Sequence, residues 1–181
     1  MKELSLNILD IAENSVAAGA KLTRITILED SETVKVTVSD DGKGMTKDIL
    51  ESVTNPFCTT RTTRKVGLGI PLFKMQAEMT GGHIEITSRH KDEFPDTHGT
   101  ETSALFYKNH IDMTPLGDII ATVVTLIQGN PDIDFLFSHV SPEREVTLDT
   151  RELKEVLGDV PLSTPEVIVW ITDNLKEQYG G

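Results

Sequence analysis

Two polar side chains near the start of the chain, Asp10 and Asn14, are spaced to act together. Residues four apart on a helix project from the same face, and both lie in a segment with helical periodicity. A carboxylate can take a proton from water or a hydroxyl, and an amide oxygen can bind a hard cation such as Mg²⁺. The same pair is also common on solvated helix faces, so alone it leaves both interpretations open.

A second polar group, Asp40–Met45 (DDGKGM), directly follows a predicted buried strand. Polar side chains at a strand end commonly point into a ligand crevice, and glycines let the backbone approach a flat ligand closely. A carboxylate at the mouth of an apolar pocket could accept a hydrogen bond from an exocyclic amine. Asp and Gly are also the ordinary residues of a tight turn, so a purely structural turn is the alternative.

A third group is Gly67–Leu68–Gly69, which opens a predicted helix after a loop carrying Arg61, Arg64 and Lys65. The free N–H groups and positive dipole of a helix N-terminus, beside basic side chains, suit a polyphosphate. The run is not a P-loop, because no GxxxxGK[ST] occurs in the chain. It also lacks the third glycine of a dinucleotide-binding fingerprint and does not follow a strand.

The elements that position these groups follow from hydrophobic periodicity and turn residues. Val34, Val36 and Val38 alternate with polar residues, as in a strand that buries one face. We predict helices over 3–18, 46–53 and from about 70 to 80, and strands over 21–30, 33–40, 83–90 and 100–107. This order predicts an α/β two-layer sandwich, with one sheet and its helices on one face.

The C-terminal part differs in charge from the rest. Residues 111–181 carry 13 acidic and 4 basic side chains, a net −9, so the total of −12 leaves −3 for residues 1–110. We predict helices over 116–128, 150–157 and 164–178, with Thr150 and Thr164 as N-caps, and strands over 133–140 and 145–149. This predicts one domain at 1–110 followed by a small acidic α+β extension at 111–181, of unknown role.

Composition narrows the class of protein. The chain has 38% hydrophobic and 25% charged residues, as in soluble globular proteins, and its net charge of −12 argues against nucleic-acid binding. No apolar run approaches the roughly 18 residues of a membrane span. The one cysteine, Cys58, fits a reducing compartment. We therefore expect a cytoplasmic protein that binds neither nucleic acid nor membrane.

Taken in order, the motifs resemble the GHKL superfamily of gyrase-type topoisomerases, heat-shock chaperones, histidine kinases and mismatch-repair ATPases. ILDIAENSVAAGAKLTRI is similar to the N box, in the wording of the mismatch-repair type, and VSDDGKGM to the first glycine box. NPFCTTR, VGLGIPL and GGHIEITS resemble the lid, second glycine box and following strand of histidine kinases and anti-sigma factors. HGTETSALF resembles the last strand. The resemblance covers residues 3–107 and implies the Bergerat sandwich, a mixed and mostly antiparallel sheet.

The resemblance also implies roles at matching positions. Asn14 is implied as the Mg²⁺ ligand, Asp40 as the carboxylate that binds the adenine amine, and Thr102 as a further contact to the base. The other implied nucleotide-binding residues are Gly42, Gly44 and Met45 in the adenine pocket, Phe57, Arg61 and Lys65 in the lid, and Gly67, Leu68, Gly69 and Ile70 at the phosphate-facing turn.

Asp10 departs from the pattern, because the family ATPases and serine-kinase anti-sigma factors have Glu four residues before the Asn. One fewer methylene withdraws the carboxylate by about 1.5 Å, and a misplacement of about 1 Å can cost about 100-fold in rate. Many histidine kinases have Asn at this position. An acid here favours a hydroxyl or water nucleophile, and Asp10 is the candidate catalytic residue.

Two functional hypotheses remain at this point. The first is an Mg-ATP-binding protein with kinase-like or ATPase activity that acts on an unidentified partner protein. The second is a non-catalytic module in which ATP controls protein binding, as in anti-sigma factors. Only nine residues precede Asp10, so we expect no phospho-accepting helical domain before it, and a homodimer is compatible with either hypothesis. A DNA-repair subunit fits poorly, because the chain is short and acidic.

Overall fold

A computed structural model describes residues 3–55 and 68–181, and these contain six helices and six strands. The predicted elements are present, with ends that shift by a few residues. Their bounds are α1 Leu4–Ala17, β1 Leu22–Glu29, β2 Thr33–Asp40, α2 Lys47–Ser52, α3 Gly69–Met79, β3 His83–Arg89, β4 Gly99–Tyr107, α4 Ile119–Gly129, β5 Asp134–Val140, β6 Glu145–Asp149, α5 Thr150–Leu157 and α6 Pro165–Gln178.

The described strands form one six-stranded sheet in the order β3-β4-β2-β1-β5-β6. All neighbours are antiparallel except β1 and β5, which run parallel. The helix α1 packs against α3 and α4, and α4 packs against α6. The predicted fold class, a two-layer sandwich with a mixed and mostly antiparallel sheet, is confirmed.

Alternation along the central strands places the core. Val34, Val36 and Val38 of β2 are all at most 4% exposed, and Ile25 and Ile27 of β1 lie on the same side of the sheet. Burying one such side chain contributes about 1.5–3 kcal/mol relative to leaving it exposed. Asp40 follows the three valines at the same period of two. Its carboxylate is therefore directed to the helix-covered side of the sheet, where the site lies.

The C-terminal elements extend the sheet and the core. Leu22–Leu28 of β1 pairs in register with Asp134–Val140 of β5, and β6 then pairs with β5. Phe135 and Phe137 of β5 are buried in the same hydrophobic cluster as residues of α1 and β2. The sequence had not predicted this pairing, because parallel neighbours distant in the chain leave no local signal.

One predicted cap is wrong. Asp149, not Thr150, caps α5, since the Asp149 Oδ1 accepts the Arg151 N–H at 3.0 Å. The Thr150 side chain is fully buried, and its Oγ1 accepts the N–H of Phe135 at 2.8 Å. Adjacent Asp and Thr are both good cap residues, so propensity alone does not choose between them.

Candidate functional site

A cavity of about 220 Å³ lies between α1, the end of β2, the turn after it and β4. The antiparallel register places Thr102 opposite Val38 and Thr100 opposite Asp40, so all four line one wall. The full lining consists of Ile11, Asn14, Ser15, Ala17, Ala18, Val38, Asp40, Lys43, Gly44, Met45, Ile49, Ile70, Thr100 and Thr102. The walls are mainly apolar, with a few polar groups at fixed positions, which is the usual character of a small-molecule site.

Asp40 is held in one orientation by two donors. The Ser15 Oγ donates to Asp40 Oδ2 at 2.6 Å, and the backbone N–H of Gly42 donates to Asp40 Oδ1 at 2.8 Å. Each carboxylate oxygen has about two acceptor sites, so acceptor capacity remains on both. The carboxylate is therefore fixed in place and can still accept a hydrogen bond from a ligand.

The glycines of the turn are required by close packing. A Cβ on Gly44 would lie 2.0 Å from the Arg89 carbonyl oxygen, and Gly44 also has φ +71°. A Cβ on Gly42 would lie 2.9 Å from the Ala18 Cβ. The turn therefore packs closely against the end of α1 on one side and the end of β3 on the other. Two further bonds fix it, from Lys43 N to Ala18 O at 2.9 Å and from Met45 N to Ser88 Oγ at 2.7 Å.

Gly44→Ala is expected to destabilise the protein clearly more than Gly19→Ala. Both glycines have positive φ, +71° and +73°, so both variants carry the backbone strain of about 1–2 kcal/mol. A Cβ on Gly19 meets nothing within 4 Å, whereas a Cβ on Gly44 meets backbone. Urea unfolding measures both variants. Equal losses of unfolding free energy would show that the turn can move away from Arg89.

Asn14 lines the same cavity from α1, and its Nδ2 is buried without a hydrogen-bond partner in the described part of the chain. A buried amide atom without a partner costs free energy, about 1–3 kcal/mol. A half-turn of the side-chain amide exchanges its oxygen and nitrogen, so the position can present a ligand oxygen. The residue fits the predicted role of a Mg²⁺ ligand that is completed by oxygens of a bound phosphate.

Asp10 lies one turn before Asn14 and faces the first residue of α3. A Cβ on Gly69 would be 2.9 Å from the Asp10 Cβ, so the glycine allows α3 to approach α1 at this point. Burial raises the pKa of the Asp10 carboxyl above its ordinary value. A carboxylate with a raised pKa is a better proton acceptor. Asp10 therefore lies beside the start of α3, with a carboxyl group that holds its proton to a higher pH than usual.

The start of α3 has no anionic side chain of its own. Leu68 occupies the N-cap position without a side-chain hydrogen bond, and the first turn holds no acidic residue. Gly69 and Ile70 follow, and Pro71 has no N–H to satisfy. Such a helix start, with its N–H groups and the positive end of the helix dipole, favours an anion.

The structure places the predicted site residues in three groups. Those that line the cavity together are Asn14, Asp40, Gly44, Met45, Ile70 and Thr102. Four more are neighbours of lining residues: Asp10 precedes Ile11, Gly42 is hydrogen-bonded to Asp40, and Leu68 and Gly69 precede Ile70. Phe57, Arg61, Lys65 and Gly67 lie outside the described residues.

The sequence prediction missed several lining residues, including Ser15, Lys43 and Thr100. Ser15 could have been found, since it follows Asn14 and lies one helical turn from Ile11 on the same side of α1. Thr100 and Lys43 carry no such signal, because their places depend on the β2–β4 register and on the path of the turn.

The described residues contain neither a cluster of metal-binding side chains nor a membrane-spanning helix. Over 3–55 and 68–181, no group of three or more His, Cys, Asp or Glu side chains is arranged to hold a metal ion. Within the same ranges, no helix has the length and apolar character needed to cross a membrane.

The chain is similar to parts of two kinds of sensor protein. It is 36% identical over 64 residues to the sensor histidine kinase ZraS of Escherichia coli O157:H7, which covers 35% of this chain and 14% of that protein. It is 30% identical over 89 residues to the C4-dicarboxylate transport sensor protein DctB of Pseudomonas aeruginosa, which covers 48% of this chain and 14% of that protein. The matched part is thus about one seventh of each relative.

Solved structures show the same fold at low sequence identity. The ADP-complexed MutL ATPase domain of Aquifex aeolicus superposes with a TM-score of 0.55 at 16% identity, covering 87% of this chain and 69% of that one. The N-terminal domain of a DNA repair protein superposes with a TM-score of 0.51 at 15% identity, covering 88% of this chain and 58% of that one.

The family signature described as histidine kinase-, DNA gyrase B- and HSP90-like ATPase matches residues 1–109, which is more than half of the chain. These residues contain α1, β2, α2, α3 and β4, and therefore every element that borders the cavity. The resemblance stated from the sequence motifs is confirmed, and the chain belongs to the histidine kinase-, DNA gyrase B- and HSP90-like ATPase family.

Proposed function

We propose that the chain binds Mg-ATP in this cavity and transfers or hydrolyses the γ-phosphoryl group as a regulator of a partner protein. The observation that carries the proposal is the meeting of Asn14, Asp40 and Thr102 around one apolar cavity. Three polar side chains from α1, β2 and β4 converge there, and each has a chemistry that one part of a nucleotide requires.

The cavity suits the base of the nucleotide. Its volume of about 220 Å³ is below the roughly 300–1,000 Å³ of sites that enclose a whole drug-sized ligand. Val38, Met45 and Ile70 supply apolar surface for the ring, and Asp40 supplies an acceptor for its exocyclic amine. An acceptor at this position favours adenine over guanine, which presents a carbonyl oxygen on its corresponding edge.

Residues of α1 and α3 would bind the phosphate groups of the nucleotide. The amide of Asn14 would bind the Mg²⁺ ion, and the ion would neutralise charge on the phosphate oxygens. The N–H groups of Leu68, Gly69 and Ile70 would bind phosphate oxygens at the helix start. Arg61 and Lys65, which lie outside the described residues, are proposed as further phosphate contacts.

Asp10 is proposed as the group that orients and deprotonates the nucleophile. A water molecule or a hydroxyl of the partner attacks the γ-phosphorus, Asp10 accepts its proton, and the bond to ADP breaks. Positioning and electrostatics supply most of the rate in phosphoryl transfer. A hydroxyl nucleophile needs such a base, which is why an acid at this position matters.

The shortened acid supports a second candidate function. Asp10 is one methylene shorter than Glu and packs against Gly69, so its reach is limited. If the carboxylate does not reach the nucleophile, the chain is a nucleotide-controlled binding module. In that case bound ATP orders the neighbouring backbone and so controls protein binding.

The two functions separate in one assay. Purified protein is incubated with Mg-ATP, alone and with the products of neighbouring genes, and both phosphate release and phosphorylated protein are measured. Release or transfer that depends on Asp10 supports the catalytic proposal. Binding of ATP without turnover under every condition supports the module. Absence of ATP binding contradicts both.

We further propose a cytoplasmic protein that acts through a protein partner, with homodimerisation compatible with either function.

A further inference from the structure

His98 lies at the end of the connection between β3 and β4, next to the first residue of β4. Its Nδ1 is 2.6 Å from the carbonyl oxygen of Gly42, which is in the turn after β2. A carbonyl oxygen only accepts hydrogen bonds, so the Nδ1 carries the proton and donates. The side chain is partly buried. His98 is thus a donor from a distant loop to the backbone of the turn.

Gly42 is also the residue that orients Asp40. Its N–H donates to Asp40 Oδ1 at 2.8 Å, while its carbonyl oxygen accepts from His98, so the two bonds flank a single Cα. A glycine without these bonds would sample many backbone conformations. The bond from His98 therefore fixes the conformation in which the Gly42 N–H meets the carboxylate.

The rest of the same connection supports this arrangement. A Cβ on Gly99 would lie 2.1 Å from the Asp40 carbonyl oxygen, so the backbone beside His98 packs directly on the end of β2. From the other end of the connection, the Lys91 N–H donates to Lys43 O at 2.8 Å. Both ends of the β3–β4 connection therefore contact the turn. His98 makes its contact through its side chain, whereas Lys91 and Gly99 make theirs through the backbone.

We propose that His98 is a positioning residue for adenine recognition, acting through Gly42 on Asp40. The proposal rests on the proposed binding of ATP in the cavity. His98 does not line the cavity. It would act on the base indirectly, through its hydrogen bond to Gly42 and the hydrogen bond from Gly42 to Asp40. Its loss should weaken the contact to the exocyclic amine without changing contacts to the phosphates.

Two variants of similar size test the role of the donor. In Asn the Nδ2 is two bonds from Cβ, as the Nδ1 is in His, so His98→Asn can keep the bond to Gly42. His98→Leu places a carbon there and cannot. One hydrogen bond contributes about 0.5–1.5 kcal/mol. We therefore expect calorimetry to show an ATP affinity about 2–13-fold lower for His98→Leu, and close to wild type for His98→Asn.

A ligand without the amine separates positioning from a general structural effect. Purine riboside triphosphate lacks the 6-amino group that Asp40 is proposed to bind. The loss caused by His98→Leu should therefore be smaller for this ligand than for ATP. An equal loss for both ligands, or wild-type ATP affinity in His98→Leu, would overturn the inference. Failure of the wild-type protein to bind ATP would instead contradict the proposed function.

Discussion

Asp10→Asn is expected to lower phosphate release or transfer by about 10²–10⁴-fold, the usual contribution of a positioned general base. ATP affinity should stay close to that of the wild type, because Asp10 does not line the base cavity. The amide is nearly isosteric with the carboxylate, so the packing against Gly69 is kept. Single-turnover phosphate release, measured at saturating ATP, isolates the chemical step.

The pH dependence gives a second readout of Asp10. Burial raises its pKa above the ordinary value, so its proton is retained to a higher pH than usual, and the base is lost as the pH falls through that raised value. Wild-type turnover should decline on the acid side, and Asp10→Asn should lack this decline. Glu13→Gln is the matched control, since Glu13 is exposed on the same helix. Equal turnover in wild type and Asp10→Asn would remove Asp10 from the mechanism.

Asp40→Ala is expected to lower adenine-nucleotide affinity by about 5–150-fold. The substitution leaves the exocyclic amine without its proposed acceptor, and a lost partner of this kind costs about 1–3 kcal/mol. It also removes the acceptor for the Ser15 hydroxyl and the Gly42 N–H, which are bonded at 2.6 and 2.8 Å. Calorimetric titration with ATP and with GTP measures the effect, and discrimination between the two should fall.

Asp41→Ala provides the control for this variant. It removes the same charge one residue along, but the Asp41 carboxylate accepts the N–H groups of Lys21 and Leu22, at 2.7 and 3.0 Å, and is exposed. Asp41→Ala should therefore lower stability modestly and retain ATP affinity. If both variants lose affinity equally, the effect comes from charge or from the fold of the turn, and Asp40 does not bind the base.

Local patterns predicted much of this fold and site. Alternation in Val34, Val36 and Val38 identified the strand and its buried face, and the polar run that begins at Asp40 was predicted to follow its end. The spacing of Asp10 and Asn14 placed both on one side of α1. The order of the family motifs along the chain then predicted that these segments share one site. The structure places Asn14, Asp40 and Thr102 in the lining of one cavity.

What the sequence did not predict depends on contacts between distant segments. The parallel pairing of β1 with β5 joins residues more than 100 positions apart. The hydrogen bond from His98 to Gly42 spans 56 positions, and it depends on how the β3–β4 connection folds over the turn. Neither has a periodic or motif signal, because each is decided by packing rather than by local propensity.

The most direct test of the account is a calorimetric titration of the wild-type protein with Mg-ATP, followed by thermal unfolding at a ligand concentration 100 times the measured Kd. We expect saturable binding of one nucleotide per chain and a stabilisation of about 2.7 kcal/mol. For a chain of this length that corresponds to a rise in Tm of roughly 5–11 °C. Absence of binding heat together with an unchanged Tm at saturating Mg-ATP would contradict the assignment of the cavity.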